Sequence, residues 1–378
     1  MMKSLFVDTL KNTYGLYVKM LSKLFVKGQV KKQIVYLLSF PNNDHGLLDQ
    51  LSKDYSVVVI YTKNRQVEAD QLAVKGLETY CLNTFSGLLN AVKVISQSRL
   101  VIADNYFPFL GSLVKHPKTK IIQLWHATGA IKKFGLEDKS IVNRSKTDRK
   151  RFNQVYQSYD YYLVGSKTMG TIFKNSYGAK ESQILYTGFP RTDYLHQATK
   201  QVSNREKVVY LPTYRENQMP NLAEEMFLLR SKLPQEMDLL IKTHPTMTII
   251  NQELLVGVPG LKVVDNEASA DELLLEADCL LTDYSSVAFD YALVNPLGKL
   301  IFYWYDSDKY EQETGIQEIF KKDNSIKIGY NIDQVADYVM SGKQDLSAFN
   351  DLWNTYNDGQ AAKRLVDWIR EMMGNEHE

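Results

Sequence analysis

Two cysteines are all that the 378 residues contain, and they stand far apart at Cys81 and Cys279, each inside an apolar run. Without a CxxC pair there is no zinc ribbon, redox dithiol or disulfide framework, which fits a reducing compartment. Proline (10) and glycine (20) are too sparse for collagen-like, linker-rich or disordered architecture. No stretch approaches 18 consecutive uncharged apolar residues, so no bilayer span is expected. Lysines recur through the opening segment, so it lacks the unbroken apolar core of a cleavable signal. Charge of either sign is also scarce in excess: 45 Lys+Arg face 44 Asp+Glu, and no global basic field points to nucleic acid. Neither GxGxxG nor GxxxxGK(S/T) occurs, so the dinucleotide fingerprint and the P-loop are both missing. HExxH and GxSxG are absent too, and no residue cluster reads as a metal cage. No metal and no cofactor is expected.

What remains is an ordinary globular composition, 44 % apolar and 24 % charged, long enough for two domains. Its near-neutral total conceals a basic end. Residues 1–33 carry seven lysines against Asp8, a net +6 in a chain of +1, which leaves −5 for the rest. At 100° per residue Phe6, Leu10, Tyr14, Tyr17, Leu21 and Leu24 share one helical face, and Lys11, Lys19, Lys23 and Lys27 fall mostly on the other. A basic amphipathic helix of this kind lies in an anionic membrane interface or packs on the core.

Beyond Lys32 short β-rich runs alternate with helical patterns. Expected strands are Ile34–Phe40, Ser56–Tyr61, Leu100–Ala103, Lys120–Trp125 and Tyr161–Gly165. A second series comprises Val208–Leu211, Leu239–Thr243, Leu261–Val264, Cys279–Thr282 and Leu300–Trp304. Runs such as IIQLW, VVYL and CLLT are continuous rather than alternating, as strands buried on both faces should be. The pattern predicts a doubly wound α/β protein. Its parts are a helix at 1–32, a Rossmann-like domain at 33–195 and a second one, with C-terminal helices, at 196–378. Ligands of such folds bind at the carboxyl ends of the strands.

Several expected strands deliver polar residues there. Lys120–Trp125 runs into His126, whose imidazole can accept a hydroxyl proton near neutral pH or simply cap a turn. Leu239–Thr243 runs into His244, followed by Pro245, which ends the element. Cys279–Thr282 is followed by Asp283, Tyr284, Ser285 and Ser286 before a helical pattern. The two serines stand at a helix N-terminus, as anion binders or as plain caps. Val208–Leu211 leads to Thr213 and Arg215, and a polar turn carries Arg191 and Asp193. Arginine suits bidentate phosphate recognition, yet Arg191 and Asp193 equally suit a structural pair. The aromatic stretch 302–310 could hold a base or ribose, or close the core.

In order along the chain stand LWHATGAIKKFG (124–135), TGFPRTDYL (187–195), YLPTYRE (210–216), KTHP (242–245), TDYSSVAFDYA (282–292), FYWYDSDKYEQETG (302–315) and NDGQAAKR (357–364). Together they resemble the CDP-glycerol glycerophosphotransferase family of teichoic acid synthesis, over about residues 120–370. The resemblance implies the GT-B architecture, two Rossmann-like domains facing a central cleft. It implies transfer of glycerol phosphate from CDP-glycerol to a lipid-linked hydroxyl, with release of CMP, at the cytoplasmic face of a bacterial membrane. His126 is then the expected base and His244 a second catalytic histidine on phosphate. Arg191, Thr213, Arg215, Ser285 and Ser286 would hold the donor pyrophosphate, with Asp193, Asp283 and Asp290 as acidic support. Long-chain polymerases of the family read WHGTPLKK where this chain has WHATGAIKK at 125–133. That variant resembles the primases, which add the first unit to ManNAc–GlcNAc on undecaprenyl diphosphate. Rival expectations are a polymerase, a GT-B glycosyltransferase using a UDP-sugar, and a non-catalytic membrane scaffold. Oligomeric state is not legible.

Overall fold

The computed structural model describes residues 2–201, 203–214, 221–244, 247–265 and 268–374. They form two compact units, each built on its own parallel sheet. The first comprises Met1–His126, Phe134–Tyr194 and Tyr356–Glu378; the second comprises Ala127–Lys133 and Leu195–Thr355.

Seven strands build the first sheet: β1 (Lys31–Leu38), β2 (Ser56–Tyr61), β3 (Glu78–Cys81), β4 (Ser98–Ala103), β5 (Lys120–Gln123), β6 (Tyr161–Leu163) and β7 (Ile184–Leu185). Their order is β3-β2-β1-β4-β5-β6-β7, all parallel. Winding runs outward from β1 to β3, then reverses at β4, so the carboxyl ends of β1 and β4 flank the point where a crevice opens. Ile34, Val35, Tyr36, Leu37, Val101 and Ile102 are buried on both faces of the sheet, which is why these runs read as continuous apolar sequence.

The N-terminal helix, Met2–Phe25, packs on the Phe85–Ser96 helix and on the Pro108–Ser112 turn. Val18 and Ser22 are fully buried there, and Ser22 Oγ accepts from the Val114 N–H at 3.0 Å. Asp8 and Asp148 both pair with Arg151 at 2.5 Å. The helix does not bury everything apolar. Phe6, Leu10, Leu16, Met20 and Leu24 remain exposed, together with Lys19, Lys23 and Lys27.

The second sheet holds β8 (Glu206–Leu211), β9 (Met237–Ile241), β10 (Leu261–Val263), β11 (Cys279–Thr282), β12 (Lys299–Tyr303) and β13 (Lys327–Gly329). Their order is β10-β9-β8-β11-β12-β13, again parallel, with the reversal between β8 and β11. All ten expected strands are present. The three that sequence did not announce, β3, β7 and β13, are edge strands of two to four residues.

Two boundaries differ from expectation. The C-terminal helix Ala361–Gly374 belongs to the first unit, not the second: Leu365, Val366, Ile369 and Met373 sink into the first core. Asp193 accepts from the Ala361 and Ala362 N–H groups at 2.9 and 2.8 Å, capping that helix. Asn357 Oδ1 accepts from the Phe189 N–H at 3.0 Å, and Arg364 Nε donates to the Thr187 carbonyl at 2.9 Å. The segment Ala127–Lys133 joins the second unit instead. There Lys133 N–H donates to Gly315 and Gln317 N–H to Ile131, at 2.8 and 2.7 Å. Gly129 presses on the Phe289 ring, where a Cβ would lie 2.6 Å from its carbons.

Candidate active site

In the first unit β5 stops pairing at Gln123, and the chain turns sharply. Trp125 has φ +67°, a left-handed conformation that is costly for so bulky a residue. Two buried amides hold it there. Gln123 Oε1 accepts from the Trp125 N–H at 2.9 Å, and Asn43 Nδ2 donates to its carbonyl at 2.7 Å. The indole packs on Phe134 and Phe173, 5.1 and 5.4 Å between ring centroids. His126 follows, half-buried with Nδ1 out of solvent; it stacks on Phe40 at 4.5 Å and lies tilted against Trp125 at 4.7 Å.

Phe40 lies just past β1, and its backbone is fixed from β4. The fully buried Asp104 carboxylate accepts from the Ser39 and Phe40 N–H groups, each at 2.7 Å, and from Ser39 Oγ at 2.9 Å. Burial pushes this carboxyl up to about 7, against the lowering effect of those three donors. Nearby Asn42 and His45 also have positive φ, 51° and 39°. His45 stacks on Tyr194 at 5.1 Å. Local strain is thus gathered around the β1–β4 reversal and the end of β5, as it is at many active sites.

Arg191 sits half-buried in the first turn of the Pro190–Gln197 helix, beyond the edge strand β7. Its sequence neighbour Asp193 turns to a different helix and caps Ala361–Gly374.

In the second unit the reversal between β8 and β11 brings together Thr213 and the turn Asp283–Ser286. Asp283, fully buried, accepts at Oδ1 from the Thr213 and Tyr284 N–H groups at 2.7 and 2.6 Å. Thr213 Oγ1 is buried without a hydrogen-bond partner among the described residues. Ser286 occupies the N-cap of the Val287–Val294 helix but its hydroxyl makes no capping bond. Ser285 Oγ accepts from the Val287 N–H only at 3.4 Å. Plain side-chain capping therefore does not account for this serine pair. From the neighbouring β9 comes His244, exposed, with its ring 4.8 Å from that of Tyr214. Arg215 lies outside the described residues.

Two of the acidic residues tie segments together. Asp283 ties the β8 turn to the β11 turn, and buried Asp290 accepts from Thr128 Oγ1, anchoring the segment that follows His126. The aromatic stretch closes the core: Tyr284 stacks on Tyr310 at 3.6 Å, and Trp304 Nε1 donates to the Asp283 carbonyl at 3.0 Å. Three residues that matter here, Phe40, Asn43 and Asp104, were not anticipated from sequence. No motif marks them; the rule that ligands gather where strand order reverses would have, once that order was known. Cavities of ≈ 660 and ≈ 780 Å³ open at the amino ends of the two sheets, near Lys120 and Arg205, and no expected site residue lines them. Among the described residues no three His, Cys, Asp or Glu side chains gather as a metal site, and no helix is long and apolar enough to cross a membrane.

Comparison with known proteins bears on what these edges do. The chain is 32% identical to a teichoic acid glycerol-phosphate primase of Bacillus subtilis (strain 168), over 96% of its own length and 98% of the relative's. A primase of the same description from Staphylococcus aureus (strain NCTC 8325 / PS 47) is 29% identical, with 96% and 98% covered. The solved wall teichoic acid polymerase TagF, in a structure from a CDPG soak, superposes with TM-score 0.72 at 21% identity, covering 99% of this chain and 98% of that one. A Staphylococcus aureus MnaA–UDP structure superposes with TM-score 0.61 at 14% identity, over 92% and 98%. These likenesses give the fold as α/β of the GT-B type. The described motifs and the full-length similarity converge with a family match over residues 20–371: the chain belongs to the CDP-Glycerol:Poly(glycerophosphate) glycerophosphotransferase family.

Proposed function

We propose that this enzyme transfers sn-glycerol 3-phosphate from CDP-glycerol to the ManNAc hydroxyl of undecaprenyl-diphosphate-linked ManNAc–GlcNAc, releasing CMP. Family membership supports glycerophosphate transfer in teichoic acid synthesis. Full-length similarity to primases, and WHATGAIKK at 125–133, support the priming step. The observation that carries a catalytic reading is His126 held at the end of β5 on a left-handed tryptophan.

In this reading an acceptor oxygen attacks the glycerol-bearing phosphorus in line as His126 takes its proton. The bond from that phosphorus to the bridging oxygen breaks, and CMP departs with the electron pair. Thr213, Ser285, Ser286 and Arg215 hold the donor's pyrophosphate, His244 donates to a phosphoryl oxygen, and Arg191 adds a fork of donors. Hydrogen bonds to charged phosphate groups of this kind are worth about 1.5–3 kcal/mol each. Mass measurement of the lipid product under excess CDP-glycerol tests the assignment. One added unit is expected; a ladder means a polymerase, and UDP release from a UDP-sugar means a glycosyltransferase.

The exposed Phe6, Leu10, Leu16, Met20 and Leu24, bordered by Lys19, Lys23 and Lys27, suit a peripheral position on the cytoplasmic face of the membrane. Serine at Leu16, Met20 and Leu24 should weaken sedimentation with anionic vesicles while leaving the fold intact. Unaltered sedimentation removes this face as the anchor.

A further inference from the structure

Two aromatic rings pack against His126. Phe40 stacks on it with planes 25° apart at 4.5 Å, and Trp125 lies tilted against it by 31° at 4.7 Å. Trp125 is its chain neighbour, packed into an aromatic cluster with Phe134, Phe173 and Tyr177. Phe40 is different. It comes from 86 positions away in sequence and is half-buried. A phenyl ring left half in water is poorly used as core packing.

The placement of Phe40 is also over-determined. Asp104 accepts from its N–H and from that of Ser39, and Ser39 Oγ adds a third bond. The other ionisable groups felt by Asp104 are Glu68 and the phenol of Tyr36. A fully buried carboxylate committed to two successive backbone amides is an expensive way to hold a loop. What it holds in register is a ring face against an imidazole. A flat ring stacked on the imidazole restricts its rotation and covers that face from water. Stacked rings favour such offset, near-parallel geometry, and small losses of alignment at a reacting group are costly.

We infer that Phe40 is a positioning residue for His126, and that Asp104 anchors Phe40 for that task. The inference rests on His126 being the base, as proposed above. Phe40 touches no reacting atom; it acts through the imidazole.

Phe40→Leu keeps apolar bulk and removes the flat face. It is expected to lower kcat for CMP release from CDP-glycerol by about 10- to 100-fold, with KM for CDP-glycerol unchanged. Phe40→Tyr restores the face and with it the rate. In histidine-labelled protein the His126 ring-proton resonance, identified by its loss in His126→Ala, moves downfield in Phe40→Leu as the shielding of a stacked ring disappears. Adding Asp104→Ala to Phe40→Leu costs little more in kcat, since both act through one contact; if that double variant does not fold, Phe40→Leu and Phe40→Tyr decide alone. Wild-type kcat with an unmoved resonance in Phe40→Leu overturns the inference, as does a raised KM with kcat intact. Undiminished turnover by His126→Ala overturns the base assignment instead, whatever Phe40 does.

Discussion

The two sheets end in carboxyl edges of opposite character. At the first, His126 is clasped by aromatic rings, its preceding residue is strained, and buried amides and a buried carboxylate fix the surrounding turns. At the second, His244 is exposed beside a half-exposed Tyr214, and the hydroxyls of Thr213 and Ser286 make no side-chain bond within the described residues. A base must be aimed within a fraction of an ångström before chemistry begins. Groups that clasp a flexible anionic ligand can take up their bonds when it arrives. Rigidity is concentrated where proton transfer is proposed, and unspent donors where phosphate is.

Exchanging the two histidines for alanine is the strongest way to break that contrast. His126→Ala should lower kcat by about 10²–10⁴-fold with little change in KM, the usual worth of a general base. His244→Ala should cost roughly 10- to 100-fold in kcat/KM, chiefly through KM for CDP-glycerol. Steady-state kinetics on both variants checks this, and equal effects on kcat would erase the distinction.

The pH dependence of stability sharpens it next. Asp104 has its pKa raised to about 7 by burial, so the folded chain keeps a proton that the unfolded chain has released. Its stabilising effect is therefore complete below the ordinary aspartate range near 4 and is lost as pH climbs toward 7. The slope due to this one group reaches up to about 1.4 kcal/mol per pH unit. Asp104→Asn, which resembles the protonated form, should flatten denaturant-unfolding stability between pH 4 and 7; an unchanged slope would exonerate Asp104.

A smaller effect is expected away from both edges. Asp193→Ala removes the cap of Ala361–Gly374, two bonds to successive N–H groups, and should cost about 1–2 kcal/mol. The melting temperature should fall by several degrees while kcat stays near wild type. A large loss of kcat at unchanged stability would return Asp193 to the chemistry.

Much of this was legible in sequence, for local reasons. A strand buried on both faces must be apolar throughout, so VVYL and CLLT announce β8 and β11 directly. Ser285 and Ser286 follow the CLLT run, and His126 and His244 follow the similar apolar runs of β5 and β9. The edge strand Ile184–Leu185 is too short for any pattern. Phe40 and Asp104 escaped notice because their partnership comes from β4 lying beside β1, a pairing that joins residues 64 apart in the chain. Chain order likewise says nothing of which sheet a late helix will cover, and Ala361–Gly374 covers the first. Asp193 looked acidic and motif-borne; only the helix it caps reveals its task.

That returning helix has a consequence for synthesis. Leu365, Val366, Ile369 and Met373 complete a core whose other members were translated first, so the unit begun earliest is finished last. Its apolar sheet face stays open on the ribosome until residues 361–374 emerge, while residues 195–355 already supply nearly all of the other unit. A shortened transcript or a nick near the tail would spoil the half of the protein that bears His126, leaving the younger half to fold.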